Sequence, residues 1–278
     1  MISSIMKNGL SLGRFGTREF GSLHQDIKKA TESVMSSTGE VSSIAFAGHL
    51  LDLIESQNNE DLDIFLTYLI EEYDINTDSL LKNVEAYSKE RNNKNLGLIG
   101  SFSEPGWVEL FRRLNATPGG THRLIKLRER IKLLLRDGSP HLKALDDGLL
   151  KLFRYWFNSS FLVLEKIDWS TPANVLEKII EYEAVHEINS WNDLRARLAP
   201  SDRQCFAFFH PLIPEDPLIF VEVALTNEIP TSIEKVIKIN REEVEYNKIN
   251  TAVFYSISNC QDGLAGISFG NFLIKSTI

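Results

Sequence analysis

The spacing of the apolar residues changes partway along this chain, and that change limits the folds that are open to it. Between about residues 27 and 157, apolar side chains recur every three or four positions, as in Leu124, Leu127 and Ile131. This repeat is typical of amphipathic helices, whose apolar stripes pack together in a bundle. The first half of the chain is therefore predicted to be entirely helical.

After Trp169 the pattern becomes that of strands. Residues 205–209 and 218–225 are dense in Phe, Val, Ile and Leu and are separated by a proline-rich turn, which predicts an antiparallel pair. Residues 251–258 predict a third strand, and residues 269–274 predict the opening turns of a helix. With two helices before the strands, the predicted order is helix, helix, strand, strand, strand, helix.

Capping signals mark where several of these helices begin. Thr121 follows Pro-Gly-Gly at residues 118–120 and is predicted to cap a helix. Ser190 and Asp193 have the spacing of a capping box, and Thr-Pro at residues 171–172 opens a helix that continues to about Glu183.

The composition argues against two classes of partner. Thirty Lys and Arg against 38 Asp and Glu give a formal charge of −8, whereas a nucleic-acid surface needs a clustered basic excess. No apolar stretch approaches the roughly 18 to 20 residues that span a bilayer. We therefore expect neither a nucleic-acid partner nor a membrane partner.

The two cysteines and the N-terminal segment bear on location. Cys205 and Cys260 lie within apolar runs and are predicted to be buried free thiols, which indicates a reducing compartment. Residues 1–26 have no compact apolar core with a cleavage site and are predicted to be a flexible N-terminus. A cytoplasmic location is the expectation.

A glycine-rich turn between the third strand and the last helix is the candidate binding segment. Residues 262–271 place Gly263, Gly266 and Gly270 where unsatisfied backbone N–H groups and the positive end of a helix dipole favour phosphate. Ser268 adds a hydroxyl donor. Taken alone, such a loop is more often an ordinary packing turn than a binding site.

The order of elements resembles the GNAT-type (acyl-CoA N-acyltransferase-like) fold, whose loop at this position holds the pyrophosphate of coenzyme A. Gly270 fits the last glycine of the generic acetyltransferase loop. Ser268 stands where glycine is usual and Ala265 where Gln or Arg is usual. Those departures resemble one branch of the superfamily, the malonyl-CoA decarboxylases.

The resemblance to malonyl-CoA decarboxylases extends over nearly the whole chain. It is most specific at residues 263–275, Gly-Leu-Ala-Gly-Ile-Ser-Phe-Gly-Asn-Phe-Leu-Ile-Lys. Residues 104–121, 156–158 and 168–186 resemble the family's helical domain and its junction with the catalytic domain. Only the first few tens of residues are generic.

The resemblance implies an α+β fold: an all-α helical oligomerisation domain at residues 27–168, followed by the first half of a GNAT-like catalytic domain at residues 169–278. It implies decarboxylation of malonyl-CoA to acetyl-CoA and CO2, in fatty-acid or malonate metabolism. Neither a metal nor an organic cofactor is implied. Malonyl-CoA and acetyl-CoA are the expected ligands, and a homo-oligomer through the helical domain is the expected assembly.

The resemblance also implies site residues. The coenzyme A loop would comprise Ala265, Gly266, Ile267, Ser268, Phe269, Gly270 and Asn271, and Lys178 matches a lysine that the family is thought to need for activity. The family's catalytic serine, in a Ser-Pro-x-Pro-Gly-Phe segment, and a later histidine would lie beyond Ile278. The chain alone is therefore expected to be inactive, with an incomplete second domain. Without the resemblance, Lys178 would be interpreted as a solvated helix residue.

Two other functions stay open. The same loop would serve a coenzyme A-dependent acyltransferase of the GNAT superfamily, which product analysis with amines would distinguish. A non-catalytic helical module acting through self-association is the second alternative.

Other polar residues have simpler interpretations. His186, at a helix end, is interpreted as a cap or dipole partner, and His210, before a proline, as a turn residue. Glu183 is two positions from Glu181, so the two do not share a helix face and make a poor carboxylate pair. The serines at 256 and 258 alternate along a strand, with one face towards the core and the other available to pantetheine.

Overall fold

The computed structural model describes residues 16–277, with side chains from residue 25 onward apart from that of Asn271. Most of the segment predicted to be flexible, residues 1–26, lies outside the described residues. The chain divides into two compact units, Met1–Gly148 and Leu149–Ile278. This division falls upstream of residue 168, where the sequence places the boundary between domains, and the domain limits stay a prediction.

The first unit is built from helices, as its apolar spacing predicts. They are α1 (Gly16–Ser36), α2 (Glu40–Ser56), α3 (Asn59–Glu72), α4 (Thr77–Lys89), α5 (Asn93–Phe102), α6 (Gly106–Asn115) and α7 (Gly120–Asp137), and α8 (Lys143–Trp156) begins in this unit and ends in the second. Their inward stripes form a core that includes fully buried Leu50, Leu62, Phe65, Phe111, Leu124 and Ile131. Burial of such side chains contributes about 1.5–3 kcal/mol each.

Two contacts fix how α6 packs in this unit. The ring of Trp107 lies so close to Gly148 that a Cβ atom there would meet the ring carbons at 2.4 Å, which only glycine avoids. Arg113 donates from Nη1 to the carbonyl oxygens of Val34, Met35 and Ser37 at 2.6, 3.1 and 3.2 Å. These carbonyls at the end of α1 have no intrahelical partner, so the guanidinium caps that helix.

The prediction that Thr121 caps α7 is wrong, because the helix starts before that residue. The helix begins at Gly120, and its N-cap is Gly119, whose φ of +71° lies in the left-handed region. The Thr121 hydroxyl instead donates to Asn115 Oδ1 at 2.9 Å. Glycine tolerates the left-handed backbone without steric cost, which explains the Pro-Gly-Gly turn.

Helices α4 and α5 form a hairpin (residues 77–102) that contributes no buried residue to the core. Several of its apolar side chains are instead exposed, with 56% of Leu81, 51% of Leu96, 43% of Val84 and 39% of Phe102 accessible. An exposed group of this kind is typical of a surface that meets another protein.

The second unit contains an antiparallel sheet with helices. Its elements after α8 are β1 (Val163–Ile167), α9 (Ala173–Tyr182), α10 (Trp191–Leu198), β2 (Arg203–Phe209), β3 (Ile219–Thr226), α11 (Ile233–Ile237), β4 (Thr251–Asn259) and α12 (Gly270–Thr277). The strand order is β1-β2-β3-β4. The α+β fold is confirmed, as are the three predicted strands and the helices around them.

Strand β1 corrects the predicted extent of the helical part. It falls within residues 27–168, which were predicted to be all-α, and it pairs with β2 from Val163 opposite Phe209 to Ile167 opposite Cys205. The second unit therefore has a strand before its two helices. The predicted order lacked this strand.

Helices α9 and α10 pack on one face of the sheet. Ser190 caps α10 by accepting from the Asp193 N–H at 3.2 Å, and Asp193 accepts in turn from the Asn189 N–H at 3.0 Å, which confirms the predicted cap. The buried cluster between these helices and the sheet includes Leu176, Ile179, Leu194, Leu198, Cys205, Ala207 and Phe220. Both cysteines are free and buried, as predicted.

Strand β4 carries a β-bulge. Glu222 of β3 pairs with Ser256, but Val223 pairs with Phe254, so Tyr255 is an extra residue on β4. Within the described residues β4 pairs only with β3 and forms one edge of the sheet. Bulges at sheet edges redirect side chains and often adjoin functional sites.

Candidate functional site

A cavity of about 500 Å³ opens in the second unit beside the glycine-rich turn. Its walls come from β3, β4, the turn and the start of α12, and its lining residues are Ile219, Ile257, Asn259, Gly266, Ile267, Ser268, Phe269, Gly270 and Ile274. Five of the seven residues predicted to bind coenzyme A thus line one cavity.

Two residues of the predicted loop stand outside that group. Ala265 ends the 3-10 turn Asp262–Leu264, and its N–H donates to the Asp262 carbonyl at 3.2 Å. Asn271 lies in α12, but its side chain is outside the described residues. Their contact with a ligand stays a prediction.

The turn depends on a glycine at position 266. Its φ of +94° is in the left-handed region, and an added Cβ would meet Leu150 at 3.3 Å. The Gly266 carbonyl accepts from Arg154 Nη2 at 3.4 Å, and the Ile267 N–H donates to the Leu264 carbonyl at 3.1 Å. These contacts set the path of the loop before it enters α12.

At position 270 the protein's packing does not require glycine. A Cβ there would lie 3.9 Å from Ile219 and 4.0 Å from Ile257, which is ordinary contact. Both neighbours line the cavity, so a side chain larger than hydrogen would extend into it. Close approach of backbone to a ligand is a usual reason for glycine.

The first turn of α12 faces this space. The Phe269 carbonyl accepts from the N–H groups of Phe272 and Leu273 at 3.1 and 2.9 Å, so the helix begins here, and the Phe269 side chain is buried. The N–H groups of a helix start and its dipole attract anions such as phosphate. Ser268 offers a hydroxyl beside them.

The lining can bind a ligand but does not itself offer acid–base chemistry. Among the lining residues that the structure describes, none has an ionisable side chain. Isoleucines form much of the wall, and the polar groups are Ser268, Asn259 and backbone. This arrangement fits a ligand that has both an anionic part and a long, weakly polar part.

Lys178 is not part of the cavity lining. Its Nζ donates to the Glu215 carbonyl at 3.0 Å and lies 3.4 Å from Asp216 Oδ1. Tyr182 donates to the same Asp216 oxygen at 3.2 Å. Lys178 therefore fixes the segment that leads into β3 and Ile219, and a part in activity stays a prediction.

The two candidate histidines have structural contacts. His210 accepts from the Leu212 N–H at Nδ1 and donates from Nε2 to the Trp156 carbonyl, both at 3.2 Å, and burial lowers its pKa. It is a turn residue, as interpreted from the sequence. His186 donates from its backbone N–H to Glu183 Oε1 at 2.8 Å, just after the end of α9.

A buried polar network lies on the face of the sheet that α9 covers, and the sequence does not predict it. Glu183, at the end of α9, accepts hydrogen bonds from the hydroxyls of Ser256 and Ser258 on β4. The alternation of serines along a strand showed that they share a face, but nothing local to either segment indicated the carboxylate that they meet.

Glu222 is a second buried carboxylate on the same face. It lies in β3 opposite Ser256, is fully buried, and accepts from Arg197 Nη1 of α10 at 3.0 Å. Burial raises its pKa to about 7, against the opposing effect of Arg197, while nearby Glu183 raises it further. A buried glutamate in an otherwise apolar strand gives no sequence signal beyond its own presence.

Comparison with known families agrees with this architecture. The malonyl-CoA decarboxylase N-terminal domain matches residues 73–157, and the malonyl-CoA decarboxylase C-terminal domain matches residues 160–278. The two matches adjoin each other and together cover well over half of the chain.

Individual relatives give the same result. The mitochondrial malonyl-CoA decarboxylase of Anser anser anser is 41% identical over 182 residues, which is 63% of this chain and 35% of the relative. That of Rattus norvegicus is 40% identical over 180 residues, which is 63% of this chain and 36% of the relative. The chain thus spans about a third of the length of these curated relatives.

Solved structures resemble the chain over a larger share. The malonyl-CoA decarboxylase of Rhodopseudomonas palustris superimposes with a TM-score of 0.86 at 46% identity, covering 91% of this chain and 62% of that one. That of Agrobacterium vitis gives a TM-score of 0.86 at 47% identity, with 91% and 61% covered. Two adjoining domain matches and these relatives show that the chain belongs to the malonyl-CoA decarboxylase family.

Proposed function

We propose that this chain binds malonyl-CoA and belongs to an enzyme that converts it to acetyl-CoA and CO2. The observation that carries the proposal is the cavity lined by residues 266–270, the segment that most specifically resembles the family's coenzyme A loop. The family membership supplies the substrate class, and the cavity supplies a place for it.

The diphosphate of coenzyme A would lie at the start of α12. Backbone N–H groups and the Ser268 hydroxyl would donate to its oxygens, and Gly270 would leave room for them. The pantetheine arm would run past Ile257 and Asn259 on β4, whose wall is apolar with one amide. No metal or organic cofactor is needed for this binding.

Loss of CO2 from malonyl-CoA leaves a thioester enolate, which requires a donor at the thioester oxygen and a proton for the new carbanion. The family resemblance implies a serine in a Ser-Pro-x-Pro-Gly-Phe segment and a histidine for these tasks. The 278 residues contain no such segment. We therefore expect binding of the thioester by these residues without release of CO2.

Calorimetric titration of coenzyme A and malonyl-CoA tests the binding site. Gly270→Val should weaken both affinities by about tenfold or more, because the new side chain fills the cavity next to Ile219. Gly100→Val is the matched control, since a Cβ at Gly100 meets no atom within 4 Å. Unchanged affinity in Gly270→Val would refute the site.

Product analysis tests the chemistry. Release of CO2 from malonyl-CoA by the 278-residue chain, far above the uncatalysed rate, would contradict binding without turnover. An amide product formed with added amines would instead support acyl transfer.

We also propose self-association through the helical part and a cytoplasmic location. The exposed apolar side chains of the α4–α5 hairpin support the first, and the two buried free thiols support the second. Among the residues that the structure describes, no helix combines the length and apolar character needed to cross a membrane.

A further inference from the structure

We infer that Glu183 is a positioning residue: its carboxylate holds β4 in the conformation that presents Ile257 and Asn259 to the cavity. The inference rests on the proposed function, because it assigns the pantetheine arm of the coenzyme to the β4 wall.

The Glu183 carboxylate is buried and well supplied with donors. The Ser256 hydroxyl lies 2.8 Å from each of its oxygens, and the Ser258 hydroxyl lies 3.2 Å from Oε2. The backbone N–H groups of Val185 and His186 donate to Oε1 at 2.9 and 2.8 Å. Hydrogen bonds to a carboxylate are stronger than those between neutral groups, so this side chain has one well-defined position.

The two serines connect that fixed carboxylate to the cavity wall. Successive side chains of a strand point to opposite faces, so Ser256 and Ser258 face Glu183 while Ile257 and Asn259 face the other way. Ile257 and Asn259 are the two β4 residues that line the cavity. Fixing the serines therefore fixes the side chains between and beside them.

Strand β4 needs this support more than a central strand would. It pairs only with β3 within the described part of the chain, and the bulge at Tyr255 interrupts even that ladder just before Ser256. The Ala184 N–H adds a contact to the Ser258 hydroxyl at 3.4 Å. The end of α9 thus holds this part of β4 through its serine side chains, from one face of the sheet.

A residue that served only the stability of the fold would affect every ligand alike. A positioning residue for the β4 wall should affect only ligands that reach that wall. Coenzyme A carries the pantetheine arm, and phosphoadenosine diphosphate is the same molecule without it. Comparing their affinities separates the two roles.

The test is calorimetric titration of the 278-residue protein with both ligands, below the unfolding temperature of each variant. Glu183→Gln should bind coenzyme A about tenfold more weakly, while its affinity for phosphoadenosine diphosphate stays within about twofold of the wild type. Glu181→Gln, the same chemical change at an exposed position of α9, should bind both ligands as the wild type does. Amide hydrogen exchange at residues 256–258 should accelerate in Glu183→Gln but not in Glu181→Gln.

Ser258→Ala provides a milder variant in case Glu183→Gln does not fold, because it removes a single hydroxyl and leaves Ser256 in place. It should weaken coenzyme A binding alone, by about threefold. Unchanged coenzyme A affinity, or an equal loss for both ligands, would overturn the inference. Wild-type protein that binds neither ligand would overturn the proposed function itself.

Discussion

The buried carboxylate of Glu222 should make the stability of the second unit depend on pH. Burial raises its pKa from the usual 4.5 to about 7 in the folded protein. In the unfolded chain the Glu222 carboxyl titrates near its usual value of 4.5. Between pH 4.5 and about 7 the folded state therefore binds more protons than the unfolded state. Stability from this group is therefore fully present below pH 4.5 and is lost as the pH rises through about 7.

The size of the effect follows from the same difference. One pKa unit corresponds to about 1.4 kcal/mol, so a rise from 4.5 to about 7 gives an upper limit of about 3–4 kcal/mol for the contribution to the free energy of unfolding. The Glu222 side chain is fully buried, so solvent screening reduces this free energy little. Part of the free energy belongs to its ion pair with Arg197. Glu183 and Tyr255 are the other titratable groups beside it.

Urea unfolding from pH 5 to pH 8 measures this dependence, with Glu222→Gln as the perturbation. Glutamine keeps an oxygen that can accept from Arg197 but cannot ionise. The free energy of unfolding of the wild type minus that of the variant should fall as the pH rises, by up to about 3 kcal/mol. The exposed substitution Glu181→Gln should give a pH profile parallel to the wild type. A difference between wild type and Glu222→Gln that stays flat within about 0.5 kcal/mol would refute the reasoning.

Two further predictions concern the helical unit. Gly148→Ala should destabilise the fold by about 1–3 kcal/mol through overpacking against the ring of Trp107, whereas Gly100→Ala should not. Chemical denaturation measures both variants, and equal stabilities of the two would contradict the packing argument. If the proposed self-association uses the α4–α5 hairpin, Leu81→Glu combined with Leu96→Glu should lower the sedimentation coefficient to that of a monomer without loss of helix signal. An unchanged sedimentation coefficient would exclude the hairpin as the contact.

The elements that the sequence predicts well are those whose signal is local. The helical repeat requires only that each stripe be apolar, and the start of α12 follows a recognisable strand and glycine turn. Strand β1 escaped prediction because its sequence, Val-Leu-Glu-Lys-Ile, has a charged pair in the middle and buries only Ile167. These residues form a strand because their backbone pairs with that of β2. Such pairing requires no particular side chains in an edge strand, so the sequence gives little sign of it.

The candidate site divides in the same way. The loop at residues 266–270 was predictable because one continuous segment supplies it. Ile219 reaches the cavity through pairing between strands distant in sequence, as does the contact of Glu183 with Ser256. A single sequence contains no measure of those distances, so it relates the Glu183 carboxylate only to near neighbours such as Glu181.

The extra residue at Tyr255 changes which positions of β4 point inward. Before it, odd-numbered Val253 packs with Ala224 of β3 and Val236 of α11. After it, even-numbered Ser256 points to the same face of the sheet as Val253. One strand can therefore close a hydrophobic core with its first half and offer a wall to a ligand with its second. Deleting that single residue would restore simple alternation while leaving Phe254 opposite Val223 and Ser256 opposite Glu222, so the serines and the isoleucine would keep their faces and the cluster around Val236 would lose an aromatic ring.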